Sequence, residues 1–208
     1  MTADPILEPM ASDKAQDPAD LLIAFEEAST EPIRPEYVEG TFIVPPQPNH
    51  LHNKAAYKLT VQLDVESDLA GLGNGYRVGP ANGKPLALLI PDFYVLRREP
   101  SDLDEAYRRT YKGWYPIDML ALAGEVTSSN HETDTGPKLR VYATAEVPIY
   151  VLIDREKGIG NAYSEPVSVP DDPAKSHYRA LASVELGGKL VLPDPYPPLD
   201  TSVVPSGR

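Results

Sequence analysis

The chain has 208 residues, enough for one domain with a sizeable core, and 41% hydrophobic with 24% charged residues is ordinary for a globular protein. The absence of cysteine excludes disulfides, thiol catalysis, iron–sulfur clusters and cysteine zinc sites, and the lack of a long apolar run excludes a membrane-spanning helix. The formal charge of -12 is unevenly placed: residues 1–31 carry eight acids against the single base Lys14, and the remaining 177 residues carry 23 acids and 18 bases. That balance argues against tight non-specific binding of polyanions without excluding nucleic acid.

Residues 1–16 read as a disordered acidic tail. They lack the basic region and apolar core of a secretory signal, so a cytoplasmic location and no membrane association are expected. Asp17 and Pro18 open a helix running through LLIAFEEAS, which Pro32 and Pro35 stop. A short hairpin follows over 37–46, turning at Glu39-Gly40. Apolar residues at 51, 55, 59 and 63 predict a second helix over 50–66. A glycine-rich turn then leads into a short strand at 76–79. The run 86–96 (LALLIPDFYVL) has the length and composition of a strand buried on both faces. Residues 97–116 form a polar, charged insertion. A second buried strand is expected over 119–128, an amphipathic helix over 138–146 and a third buried strand over 147–154. Antiparallel strands separated by DDP and GG turns complete the chain. This order describes one α/β domain with a mixed sheet over 17–203, followed by a short tail, 204–208.

Two charged residues are out of place in that pattern. Asp92 lies inside LLIPDFYVL and Glu125 inside LALAGEVTS. A carboxylate in a central strand costs several kcal/mol of desolvation unless it is paired, hydrogen-bonded or metal-bound. Two of them on consecutive buried strands are the minimal set for a hard divalent cation such as Mg²⁺. The alternative is structural, with Asp92 capping a strand end and Glu125 pairing with a buried arginine. In the insertion, Arg108, Arg109 and Lys112 alternate with Tyr107, Tyr111, Trp114 and Tyr115. Such a mixture suits backbone contact and base stacking on a nucleic acid, and suits an ordinary charged loop as well. His131 and His177 fall in polar turns. No HExxH, GxSxG or P-loop pattern is present.

Several short pieces occur in a particular order. They are Val38-Glu39-Gly40 with its hairpin, Pro45–His52 leading into a helix, Pro91-Asp92, Glu125-Val126-Thr127-Ser128, Asp134 to Lys138, Tyr142–Asp154, and LPDPYPPLDTS near the end. The ordered set resembles the PD-(D/E)xK nuclease superfamily and, within it, the Uma-two family of bacterial endonucleases, over residues 34–203. The resemblance implies a restriction-endonuclease-like fold, a mixed β-sheet core flanked by helices with a C-terminal antiparallel meander. It implies Asp92 and Glu125 as metal ligands for Mg²⁺ or Mn²⁺, Glu39 as an upstream helper acid and His52 as an auxiliary at the helix start. The superfamily lysine is expected two residues after the glutamate, where this chain has Thr127. In the Uma-like variant the lysine moves onto the following helix, at Lys138, with Asp134 nearby. The implied activity is metal-dependent hydrolysis of phosphodiester bonds, DNA being the expected substrate, with a homodimer expected by analogy. The alternative is a catalytically silent module of the same fold that binds nucleic acid or a protein.

Overall fold

Pro91 cuts the apolar run 86–96 in two, and the architecture follows from that break. Proline donates no hydrogen bond to a ladder, so a strand cannot continue through it inside a sheet. In the computed structural model, which describes residues 17–64, 68–80, 83–127 and 131–205, the run becomes two strands in two different sheets. The expected tail over 1–16 lies outside the described residues, as do Ser128, Ser129 and the end of the 204–208 segment.

In chain order the elements are α1 (Pro18–Ala28), β1 (Glu36–Val38), β2 (Thr41–Ile43), α2 (His50–Leu63), β3 (Ala70–Gly71), β4 (Tyr76–Val78), β5 (Ala87–Leu89) and β6 (Phe93–Leu96). They continue with α3 (Asp102–Thr110), β7 (Tyr115–Pro116), β8 (Leu120–Val126), α4 (His131–Thr133), a π-helical turn (Asp134–Lys138) and α5 (Leu139–Thr144). The chain ends with β9 (Ile149–Asp154), β10 (Ile159–Val167), β11 (His177–Glu185), β12 (Lys189–Leu190) and β13 (Leu199–Asp200). Strands β2-β1-β5-β4-β7 form one sheet and β11-β10-β9-β8-β6-β3 another, with β12 and β13 a separate antiparallel pair. The second sheet is mixed, because β8 and β9 run parallel while its other pairs are antiparallel. A helical crossover between β8 and β9 permits that direction.

The central strands of the larger sheet are buried on both faces. From β9, Ile149, Val151 and Ile153 pack with Ala55, Leu59 and Leu63 of α2, while Tyr150 and Leu152 pack with Val141 and Tyr142 of α5 and with Tyr76 and Leu89 of the smaller sheet. This alternation explains why 147–154 reads as a continuous apolar run. The outer face of the smaller sheet carries α1, through Ala19 and Leu22 against Tyr37, Leu88 and Trp114. At β8, Gly124 is required by a close approach, since a Cβ there would lie 2.1 Å from Phe93 Cζ.

Four expectations are corrected. The 86–96 strand is divided, as described. The insertion contains a helix, α3, opened by a reciprocal Ser101–Asp104 capping box that a charged composition had concealed. The helix expected from Lys138 is entered earlier, through α4 and a π-helical turn that accommodates Pro137. The last piece of the expected meander leaves the sheet, with β12 pairing β13 instead of extending from β11. No described helix is long and apolar enough to cross a membrane.

Candidate functional site

The break at Pro91 leaves backbone groups to satisfy, and two carboxylates attend to it. The Ile90 N–H donates to Glu36 Oε1 at 2.6 Å. Asp92 Oδ2 accepts from the Val126 N–H at 2.8 Å, which ties the corner to the end of β8. His52, in the first turn of α2, places Nε2 3.1 Å from the same Asp92 oxygen and 2.9 Å from the Val126 carbonyl. Both neighbours are acceptors, so Nε2 carries the proton. His52 Nδ1 is buried and has no hydrogen-bond partner.

Glu125 pairs across the ladder with Leu152 and faces the α5 side. There Lys138 Nζ stands 2.8 Å from Glu36 Oε2, 3.1 Å from Glu125 Oε1 and 3.5 Å from Asp134 Oδ1. Glu36, Glu125, Asp134 and Lys138 are each at most 5% exposed. The Tyr142 hydroxyl donates to Glu125 Oε1 at 3.2 Å, and the Tyr150 hydroxyl to the Asp134 carbonyl at 2.9 Å. An ammonium has three N–H donors, and here three carboxylates surround it. The π-helical turn sets the Asp134-to-Lys138 spacing that makes this possible.

These groups line one pocket of about 100 Å³, with Arg34, Pro45, Pro46, Gln47, Pro48 and Ile90 completing its wall. That is room for several waters or a hydrated ion. The wall holds four carboxylates (Glu36, Asp92, Glu125 and Asp134) against Lys138 and the rim guanidinium of Arg34, which donates to the Gly73 carbonyl. The electrostatics follow from burial under that surplus. Burial pushes the Glu125 carboxyl well above the usual range; Lys138 opposes this, and Asp92, Asp134 and Glu36 add to it. Asp134 is pushed up to about 6, again first by burial, with Lys138 acting against it. For Lys138 burial alone would lower the pKa, yet Glu125, Glu36 and Asp134 hold it well above the ordinary lysine value. For His52 burial also lowers, and the hydrogen bond and charge of Asp92 more than offset it, so the net shift is upward.

The donor chemistry fits a hard divalent cation. The hydrogen bonds above fall on Asp92 Oδ2 and Glu125 Oε1, leaving the second oxygen of each carboxylate outside these bonds. No group of three or more His, Asp or Glu side chains is arranged around one point among the described residues. Asp92 and Glu125 are the carboxylates that would be available to a cation such as Mg²⁺ or Mn²⁺, which would need waters or phosphate oxygens at its remaining positions.

Of the residues singled out in the sequence, Asp92, Glu125, Lys138, His52 and Asp134 come together. Glu39 does not. It sits in the β1–β2 turn at φ 47°, and its carboxylate forms a two-point ion pair with Arg140, at 2.7 and 3.3 Å. The acid that β1 contributes to the pocket is Glu36, three residues earlier. Thr127 is buried beside the pocket lining, where its hydroxyl donates to the Ile153 carbonyl and accepts from the Arg155 N–H, a structural role. Arg108, Arg109 and Lys112 are also absent from the wall. Lys112 is held by Asp17, at 3.6 Å, and Asp20 of the α1 start, and the Arg108 guanidinium lies over the Tyr115 ring, 5.4 Å from its centroid. Packing of α1 on Trp114 brings those acids to Lys112. Besides Glu36, the residues not anticipated are Arg34, the proline rim and Tyr142. Glu36 follows Pro35 and opens the three-residue β1, so it interrupts no apolar run of the kind that marks Asp92 and Glu125.

A sequence model of the Uma2 family, described as "Putative restriction endonuclease", matches residues 21–197. Among solved structures, a "putative nuclease belonging to DUF820" from Anabaena variabilis ATCC 29413 superposes with a TM-score of 0.56 at 15% identity, covering 88% of this chain and 96% of that one. At that identity the likeness concerns the fold. No curated protein is matched.

Proposed function

The chain belongs to the Uma2 restriction endonuclease family, and from that premise and the pocket's geometry we propose that it is a metal-dependent endonuclease that hydrolyses phosphodiester bonds, with DNA the expected substrate. The observation that carries this reading is the meeting of Asp92, Glu125 and Lys138, from three separate elements, in one acidic pocket. Asp92 and Glu125 would hold the cation. Bound there, Mg²⁺ or Mn²⁺ supplies a water of lowered pKa and polarises a phosphoryl oxygen. Asp134, pushed up to about 6, is the pocket group suited to accepting a proton near neutral pH. Lys138 fixes Glu125 and Glu36 and supplies positive charge beside the phosphate. Glu36 holds the Pro91 corner, and so Asp92, in place through the Ile90 N–H. The Arg34 guanidinium offers positive charge at the mouth.

The test is incubation of plasmid and single-stranded DNA with Mg²⁺ or Mn²⁺, followed by chelator. Cleavage that needs the metal, and that folded D92N and E125Q variants lack, is the expected result. Absence of cleavage with either metal, or undiminished cleavage by both variants, refutes the reading. One observation favours a second reading, a silent module that binds without cutting: Lys138 already faces three carboxylates. That reading is recognised by DNA retardation without hydrolysis.

A further inference from the structure

The two edges of the larger sheet are unlike. One ends on β3, a two-residue strand; the other ends on β11, nine residues long. A long edge presents a row of backbone donors and acceptors to any other strand, and proteins that stay apart blunt such edges with proline, with bulges or by keeping them short. The outer edges of the smaller sheet, β2 and β7, have three and two residues. Among the described strands, β11 is the one long edge, and it contains neither proline nor glycine. Its neighbours α5 and β12 each touch β10 as well as β11, so they pack against the hairpin, and no described strand pairs with its outer edge.

The strand is also complementary to itself. Leu181 is the middle residue of His177–Glu185, and at 58% exposure it is the most exposed large apolar side chain of the sheet. Antiparallel pairing of β11 with a second copy over its full length puts the two-fold axis at Leu181. Leucine then faces leucine, His177 faces Glu185, and Arg179 faces Ser183 with Glu185 on the diagonal, within reach of a long side chain. These residues share the exposed face, since odd positions along β11 are exposed and even ones half-buried. On the other face Tyr178 meets Val184 and Ala180 meets Ala182, with no like charges opposed. An isologous interface requires a patch that fits its own copy.

We propose that β11 is a dimerisation edge, through which two copies of this chain join their larger sheets into one continuous twelve-stranded sheet. The inference is independent of the activity assigned to the pocket. A nine-residue strand per side is smaller than the roughly 20–30 residues of a standard interface, so dissociation in the micromolar range is expected.

The experiment is sedimentation velocity of the full chain from about 1 to 200 μM, with hydrogen exchange at both ends of that range. The wild type should approach twice the mass of one chain, with slowed exchange at amides of 178–184 at high concentration. L181K, which sets two ammonium groups face to face on the axis, should remain monomeric. E185K should weaken association at least tenfold, and H177E/E185K, which exchanges the paired groups, should return it to within about threefold of wild type. A wild type monomeric at 200 μM overturns the proposal. So does an L181K dimer as strong as wild type, which would place a dimer elsewhere, on the exposed Tyr57 and Val61 of α2 for example. If L181K does not fold, E185K, the exchange variant and the amide protection decide.

Discussion

Replacing Lys138 with methionine, which keeps the stem and removes the ammonium, tests the central claim about the pocket. In the wild type one buried cation sits within 3.5 Å of three buried carboxylates. Breaking a buried pair by removing one partner costs about 3–5 kcal/mol, because the remaining charge is left uncompensated. With an urea m-value of about 2 kcal/mol/M for a chain of this size, the midpoint should fall by roughly 2 M. The deficit must depend on pH, with a sign fixed by the carboxylates. Lys138 lowers both carboxyls, so in its absence they hold their protons to higher pH than in the wild type, and the loss is greatest at high pH and shrinks as pH falls toward about 6, the wild-type value for Asp134. Urea unfolding at pH 8 and pH 5 measures this, and the pH 5 deficit should be no more than about half that at pH 8. K138M/E125Q should recover part of the loss, as expected for groups in one network. A deficit below about 1 kcal/mol, or one equal at both pH values, refutes the account of Lys138 as the hub of the buried cluster.

Asp134 carries its own pH signature. Its folded pKa is raised above the unfolded value, so the folded state binds the extra proton, and stability should fall as pH rises from about 4 through 6, by an amount on the order of 3 kcal/mol. D134N should flatten that portion of the unfolding profile, and an unchanged slope would assign the proton elsewhere. Gly124→Ala should destabilise by at least about 1–3 kcal/mol, because the Cβ would overlap the ring of the fully buried Phe93, and F93A in the same chain should relieve part of it by thermal melting. Glu39→Ala should cost under about 1 kcal/mol and leave nuclease turnover unchanged, since only the partly exposed Arg140 pair is lost. Glu36→Gln should reduce turnover, and equal effects from both variants would contradict the placement of Glu36 in the pocket.

The parts of this molecule legible in its sequence are those with a long period to read. Helix α2 starts at His50 as the 51/55/59/63 stripe requires, and the apolar run at 147–154 becomes the fully buried β9. Asp92 and Glu125 stood out because each interrupts an apolar run. Glu36 escaped because β1 has only three residues, too few for a period to say which of two acids three apart turns inward. The Glu39-Gly40 turn was read correctly, and that reading is what places Glu39 in a turn at positive φ instead of on the strand. Division of the 86–96 run is signalled by Pro91, but the destination of each half depends on ladder pairings distant in the chain, such as Leu88 with Tyr37 of β1 and Phe93 with Gly124 of β8. Lys138, expected on the helix that follows β8, stands in the π-helical turn just before α5. Its three partners depend on a π-helical turn, for which one added residue per turn leaves no compositional mark.

The corner at Pro91 also governs how the protein should respond to whatever it binds. Glu36 belongs to one sheet and Glu125 to the other, and Lys138 grips both. The pocket therefore cannot open without separating two layers that together hold most of the apolar interior. A ligand that strengthens this seam draws on the cooperativity of the whole molecule, so its free energy of binding should register as a shift of the entire melting transition, growing as RT ln(1 + [L]/Kd). Binding should also slow hydrogen exchange in both layers at once, whereas a pocket carried on a single loop would confine the protection to that loop.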